Sequence, residues 1–194
     1  MAFFRRCFPT HGAGLYRRRP CDGLRRLFLH VDFICRTQNQ RGRILDNIYE
    51  VLRESHETQR TLCRRLLRIQ PDDPRAAEVF RTLRTELAAH AAAEERFLYA
   101  QILFDDMGLK SSRHALAEHH EIDECVEALE AARDKPETWP ALVKKLSHEV
   151  HHHLREEERK FFQLSGKILT DRQKVTLATR YRRDLERMRE VLEP

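Results

Sequence analysis

Apolar side chains recur about every 3.6 positions through most of the chain beyond Arg43, which is the period of an amphipathic helix. The first stripe predicts a helix from Arg43 to about Ile69, where the prolines of the segment QPDDP stop it. The second stripe predicts a helix from about Pro74 to about Phe104, and Gly108 interrupts the pattern after it. The same period then predicts a third and a fourth helix.

Helix three is expected to begin at Ser111 or Ser112, and helix four follows the connection DKPETWP and ends by residue 169. A final amphipathic helix, residues 170–192, is rich in Arg and Glu and is predicted to be mostly solvated. Four helices of similar length joined by short connections imply antiparallel neighbours. The sequence therefore predicts an all-α, up-down-up-down antiparallel four-helix bundle over residues 43–169, with an additional C-terminal helix in residues 170–194.

Each core-facing stripe is apolar except at a few positions, and an unpaired polar group in a core is costly. The exceptions are His56 on helix one, His90 and Glu94 on helix two, His119 on helix three, and His153 and Glu157 on helix four. On helices two and four the histidine and the glutamate are four positions apart, so both side chains share a face. A single histidine on an apolar stripe is more often a hydrogen-bonded core residue than a metal ligand. Four histidines at equivalent levels of the four helices favour a metal site.

The local sequences around these residues repeat. LAAHAAAEERFLY (87–99) and VHHHLREEERKFF (150–162) have the same order of apolar, histidine, paired glutamate and aromatic positions. His56 precedes His90 by 34 positions, and the same 34 positions separate His119 from His153. Within the run of three histidines and three glutamates, this register selects His153 and Glu157. The neighbours are expected on a solvated or exposed face: Glu95, Glu156, Glu158, His120, His151 and His152.

Four histidines and two carboxylates that converge in a bundle core predict a site for two divalent ions. Imidazole suits Fe, Zn, Cu and Ni, and carboxylates balance the charge of two ions. The chain lacks the paired cysteines of a structural zinc site. Its His-x-x-x-Glu order also differs from the Glu-x-x-His order of ferritin-type di-iron bundles. The histidine content favours a site that handles oxygen over a ferroxidase.

This ordered set of residues, over about Ile44 to Leu169, resembles the hemerythrin-like (HHE cation-binding) family. The resemblance implies a non-haem di-iron centre with two Fe ions, Zn or Mn being lesser alternatives. It implies that His56, His90, His119 and His153 are iron ligands and that Glu94 and Glu157 bridge the two ions.

One position departs from the oxygen-carrying members of that family, which have a second histidine one turn after the histidine of helix three. Here Asp123 stands at that position, and helix four supplies Glu157 where the carriers use Asp. The second ion then has one nitrogen ligand fewer, or it binds Asp123 or a solvent molecule in that place. Asp123 is therefore a further candidate ligand. This departure favours access for a reactant over reversible oxygen storage.

Charge is distributed unevenly along the chain. Residues 1–42 hold nine arginines and two aspartates, whereas the remainder holds 27 basic and 29 acidic residues. The body therefore lacks the excess of basic residues expected of a nucleic-acid-binding protein, and no apolar run approaches the roughly 18 residues of a membrane span. The arm 1–42 is a disordered tail, a targeting peptide or an extension from an early start codon. Its lack of serine disfavours a transit peptide.

The five cysteines form no CxxC pair and are an odd number, which predicts reduced thiols in a cytoplasm-like compartment. The leading functional hypothesis is a di-iron protein that binds or reacts with O2, NO or H2O2, in sensing or detoxification rather than transport. The alternative is a non-catalytic, metal-responsive regulatory or interaction module that contacts a protein partner through the arm or the last helix. The sequence leaves open whether the protein is an enzyme.

Overall fold

The computed structural model describes residues 46–133 and 135–193. The long helices in these ranges are α1 (Ile48–Leu66), α2 (Pro74–Glu94), α3 (Asp106–Ala131), α4 (Trp139–Glu156) and α5 (Asp171–Leu192). The predicted all-α class is confirmed, and the described ranges contain no strand. The Arg-rich arm 1–42 lies outside the described residues, so the predictions made for it stay predictions.

Helices α2 and α4 each continue beyond their regular α-helical part. Helix α2 continues through a π-helical turn, Glu95–Tyr99, and a short α-helical turn, Ala100–Ile102. Helix α4 continues through a second π-helical turn, Glu157–Phe161, and the α-helical segment Phe162–Ile168. Both π-helical turns therefore begin at or directly after the glutamate of a His-x-x-x-Glu motif.

Two apolar clusters fill the core and establish the direction of each helix. One cluster takes side chains from the start of α1, the end of α2, the start of α3 and the end of α4. The other takes them from the end of α1, the start of α2, the end of α3 and the start of α4. Successive helices therefore run in opposite directions, as predicted. The six polar positions of the four stripes lie between the two clusters, in the middle of the bundle.

Capping residues explain where the first helix begins. The side chain of Asn47 accepts from the backbone N–H groups of Tyr49 and Glu50, and the Glu50 carboxylate accepts from the backbone N–H of Asn47 at 2.8 Å. This capping box satisfies donors that the helix itself leaves unpaired. Helix α1 consequently starts at Ile48, later than the predicted start near Arg43.

The start of helix three was predicted wrongly. Helix α3 begins at Asp106, well before Ser111, because the Asp105 side chain accepts from the backbone N–H of Met107 at 2.9 Å and caps it. Gly108 lies inside the first turn and does not break the chain. A Cβ there would overlap the carbonyl and side chain of Ile102. Glycine thus permits the close corner between α2 and α3.

The fifth helix packs against α1 and α2. Its buried side chains are Leu177, Ala178, Tyr181, Asp184 and Leu185. Tyr181 is fully buried, so this helix brings a phenol hydroxyl into the middle of the bundle. No helix in the described ranges combines the length and the apolar content that crossing a bilayer requires.

Candidate metal centre

Six side chains from the four bundle helices meet between the two apolar clusters. They are the ones selected from the sequence: His56, His90, Glu94, His119, His153 and Glu157. Each is at most 5 % exposed. The structure therefore brings all six together, and the register that selects His153 and Glu157 places both of them inward.

The donor atoms form two overlapping groups, and the members of each lie within 4.8 Å of one another. The first group is His90, Glu94, His119 and His153, and the second is His56, His90, Glu94 and Glu157. His90 and Glu94 belong to both. The Nε2 atoms of His119 and His153 lie 3.1 Å apart, and Nε2 of His56 lies 3.2 Å from Oε2 of Glu157.

Several of these inward atoms have no hydrogen-bond partner among the described residues. They are Nε2 of His56, Nε2 of His90, both carboxylate oxygens of Glu94 and Oε2 of Glu157. Each unpaired buried polar group costs about 1–3 kcal/mol, which argues against a merely packed core. Imidazole nitrogens and carboxylate oxygens are ligands of iron and its divalent neighbours. The residues present therefore fit a divalent metal.

The outward nitrogen of each histidine is held by a second group. Nδ1 of His119 contacts Glu95 at 2.8 Å. Nδ1 of His56 contacts Glu158 at 2.8 Å. Nδ1 of His153 contacts Glu118 at 3.1 Å, and Nδ1 of His90 contacts Tyr181 at 2.7 Å and Ser55 at 3.1 Å. An Nδ1–H that donates outward leaves Nε2 free as a ligand, the arrangement usual around protein-bound metals.

Glu95 and Glu158 were expected only on a solvated face, and the structure gives each of them a histidine contact as well. Both carboxylates are only partly exposed, because each folds over a histidine on another helix. The sequence repeat makes the two positions equivalent, although it does not by itself show what they contact. Each is the glutamate directly after Glu94 or Glu157, and each contacts the single histidine of the other helix pair.

The same repeat relates two further outer groups. Ser55 and Glu118 are the residues directly before His56 and His119, and they contact the histidines of the two His-x-x-x-Glu motifs. Tyr181 lies outside this repeat, on α5. Its contact with His90 depends on the docking of a helix whose position the periodicity alone does not predict.

The π-helical turns place a further hydroxyl beside the carboxylates. The N–H of Ala100 bonds to the carbonyl of Glu95, five positions back, and this wider turn leaves Tyr99 fully buried. The Tyr99 hydroxyl donates to Oε1 of Glu157 at 3.0 Å. Single π-helical turns inside α-helices occur often at functional sites, and here both flank the polar cluster.

Electrostatics in the cluster are dominated by burial and by two facing carboxylates. Burial, together with the charge of Glu94, raises the pKa of Glu157 to about 8. Burial alone would lower the pKa of His119, but the nearby carboxylates of Glu94 and Glu95 outweigh it and raise the pKa to about 10. Burial lowers the pKa of His90 to about 4. The facing carboxylates thus favour positive charge between them, which protons or a cation can supply.

The sequence profile of the hemerythrin HHE cation binding domain matches residues 47–165, which is more than half of the chain. The chain belongs to the hemerythrin HHE cation-binding domain family. The matched segment contains all six residues of the cluster and ends before α5.

A crystal structure of a hemerythrin HHE cation binding domain-containing protein from Mycobacterium kansasii has the same fold. It superimposes with a TM-score of 0.68 at 22 % sequence identity, over 75 % of this chain and 89 % of that chain. A search of curated proteins found no match. The sequence profile thus shows the family, and the solved structure shows the shared fold.

Asp123 is the one candidate ligand of this hemerythrin HHE domain that the structure does not bring to the cluster. It belongs to neither donor group, and its side chain is exposed on α3. Nδ1 of His119, the nitrogen directed away from the cluster, contacts Glu95. Four imidazoles and two carboxylates are therefore the converging set.

Replacing Tyr181 with Phe is expected to weaken metal binding by about 10- to 100-fold, the loss that follows removal of an outer partner of a ligand histidine. The substitution removes the nearer hydroxyl partner of His90 and keeps the ring that packs on it. Competition with a chromogenic chelator measures the change. Tyr49→Phe is the matched control, because that hydroxyl bonds to Ser165 instead. Equal metal retention in the two variants would contradict the expectation.

Proposed function

We propose that this hemerythrin HHE domain holds two iron ions and uses them to bind or react with a small oxidant, O2, NO or H2O2, in sensing or detoxification. The observation that carries the proposal is the pair of overlapping donor groups that share His90 and Glu94. A site for one ion would leave His56 and Glu157, or else His119 and His153, without a role for their inward atoms. Bound iron would supply Lewis-acid and redox chemistry.

The donor set is of the nitrogen and oxygen type that holds iron, and it disfavours ions that require sulfur ligands. The described cysteines, Cys63 and Cys125, are buried in the apolar core and lie in neither donor group, so no thiolate is offered to a softer ion. His90, Glu94, His119 and His153 would hold one ion. His56 and Glu157 would hold the second together with the shared His90 and Glu94.

The protein's own groups would orient these ligands and keep water away from them. Tyr99 donates to one oxygen of Glu157 and leaves Oε2 directed at His56. The outer carboxylates of Glu95, Glu118 and Glu158 stabilise a proton on Nδ1 of their histidines. The apolar clusters on both sides exclude solvent, which strengthens each charge interaction in the centre.

Metal analysis of full-length protein purified without chelator tests the proposal. We expect about two iron ions per chain, the number of donor groups, and charge-transfer absorption bands that shift when azide is added. Bands that shift also show that a small anion reaches the iron. Less than about one iron per folded chain, or an iron-loaded protein whose spectrum ignores azide, would overturn the proposal.

A metal-responsive module is the second candidate, and one contact favours it. Tyr181 joins α5 to His90, so occupancy of the centre and docking of the last helix are physically connected. This alternative expects no consumption of H2O2 by the iron-loaded protein, whereas detoxification expects turnover. The loss of H2O2, followed by its ultraviolet absorbance, separates the two.

A further inference from the structure

Glu118 has a second set of neighbours on the side that faces away from the centre. Its Oε2 contacts His153, but its Oε1 has no hydrogen-bond partner among the described residues, although the residue is only 7 % exposed. Nε2 of His114, one turn earlier on α3, lies 3.6 Å from Oε1. Nε2 of His152, on α4, lies 3.5 Å from the same oxygen. A buried oxygen without a partner thus faces two imidazoles.

This arrangement distinguishes Glu118 from the other carboxylates that hold ligand histidines. Oε1 of Glu158, which contacts His56, also accepts from Arg60 at 2.9 Å. Only Glu118, among these described carboxylates, has imidazoles as its outer neighbours. The side chains of His114 and His152 are 65 % and 47 % exposed, so solvent reaches both.

The separations suit a metal ion better than they suit hydrogen bonds. Contacts of 3.5 and 3.6 Å are beyond good N–H···O geometry. Ligand atoms that each lie about 2.1 Å from one ion are at most about 4.2 Å apart, and both contacts fall inside that limit. The three donors do not yet form one compact group. Because the imidazoles are exposed, rotation about their side-chain bonds can close the set at little cost.

We propose that His114, Glu118 and His152 form a third, peripheral binding site for a divalent transition-metal ion. Two imidazoles and one carboxylate are a donor set for ions such as Zn²⁺, Fe²⁺ and Ni²⁺. The site lies on the solvent side of the buried centre and shares Glu118 with His153, so it is reached from solution without opening the bundle. This site is additional to the two donor groups of the proposed di-iron centre.

Zinc titration of the iron-loaded, full-length protein by isothermal calorimetry tests the site. We expect the unsubstituted protein to bind one Zn²⁺ per chain with its iron content unchanged. His114→Ala and His152→Ala should each weaken that binding at least about tenfold, the lower end of losses seen when a group at a metal site is removed. Both residues are exposed, so neither substitution threatens the fold.

His120→Ala is the matched control. His120 is also on α3, its side chain is 76 % exposed and it has the same 3.6 Å contact with a glutamate four positions later, but among the described residues no second imidazole forms an ion pair with that glutamate. The His120→Ala variant should bind zinc as tightly as the unsubstituted protein does. Three outcomes would overturn the site: no zinc bound, unchanged binding in the His114 and His152 variants, or zinc uptake matched by iron loss. Iron content is measured on every sample, so a failure of the di-iron proposal appears separately.

Discussion

A Glu94→Gln variant is expected to bind almost no iron. Glu94 belongs to both donor groups, is completely buried, and has neither carboxylate oxygen hydrogen-bonded within the described part of the chain. The amide keeps the size of the side chain but removes the negative charge that a cation between the helices requires. Iron analysis after desalting measures the effect, and we expect less than about a tenth of the iron of the unsubstituted protein.

Glu95→Gln is the sharpest control for that variant. The residue is adjacent, and its side chain contacts the outward nitrogen of His119. The amide oxygen can still accept that hydrogen bond, so both ions should remain bound with an affinity lower by at most about 10- to 100-fold. Iron retained by Glu94→Gln, or lost equally from both variants, would contradict the expected difference between the two residues.

Removal of the metal is expected to lower the melting temperature by about 8–16 °C or more. One ion at a free concentration near 1,000 times its Kd stabilises the folded chain by about 4 kcal/mol. For a domain of this size, each kcal/mol corresponds to about 2–4 °C. The direction follows from the cluster, because removal of the ions leaves Glu94 and Glu157 facing each other in the core.

Thermal unfolding followed by circular dichroism, with and without a chelator, measures this shift. Glu94→Gln should melt at one temperature under both conditions, because it has no metal to lose. A chelator effect of equal size in that variant would place the stabilising ion outside the buried centre. The peripheral site is exposed on two of its three ligands and should contribute little to the shift.

The helical stripes and their polar exceptions were predictable because they are local properties. A helix buries one face, so an inward histidine or glutamate is visible against apolar neighbours three and four positions away. The repeat of 34 positions then separates His153 from His151 and Glu157 from Glu156. Boundaries were less accurate, since the caps at Asn47 and Asp105 and the close contact at Gly108 override periodicity.

The outer groups were not predictable in the same way. Glu95, Glu158 and Glu118 look like ordinary charged positions in a helical wheel, and Tyr181 lies on a helix that the sequence predicts to be mostly solvated. Their contacts join positions from 24 to 102 residues apart. Two π-helical turns also change the direction of the side chains that follow each motif, and neither turn is apparent from a period of 3.6 residues.

The amino-acid sequence by itself determined the class of fold, the antiparallel order of the four helices and the six inward polar residues. These follow from periodicity and spacing, which a chain carries before it folds. The tertiary structure alone decided which group holds each outward histidine nitrogen, that Asp123 stays outside the cluster, and that Glu118 faces two further imidazoles. Those contacts depend on how the helices cross and on where α5 docks, so they exist only after the core has packed.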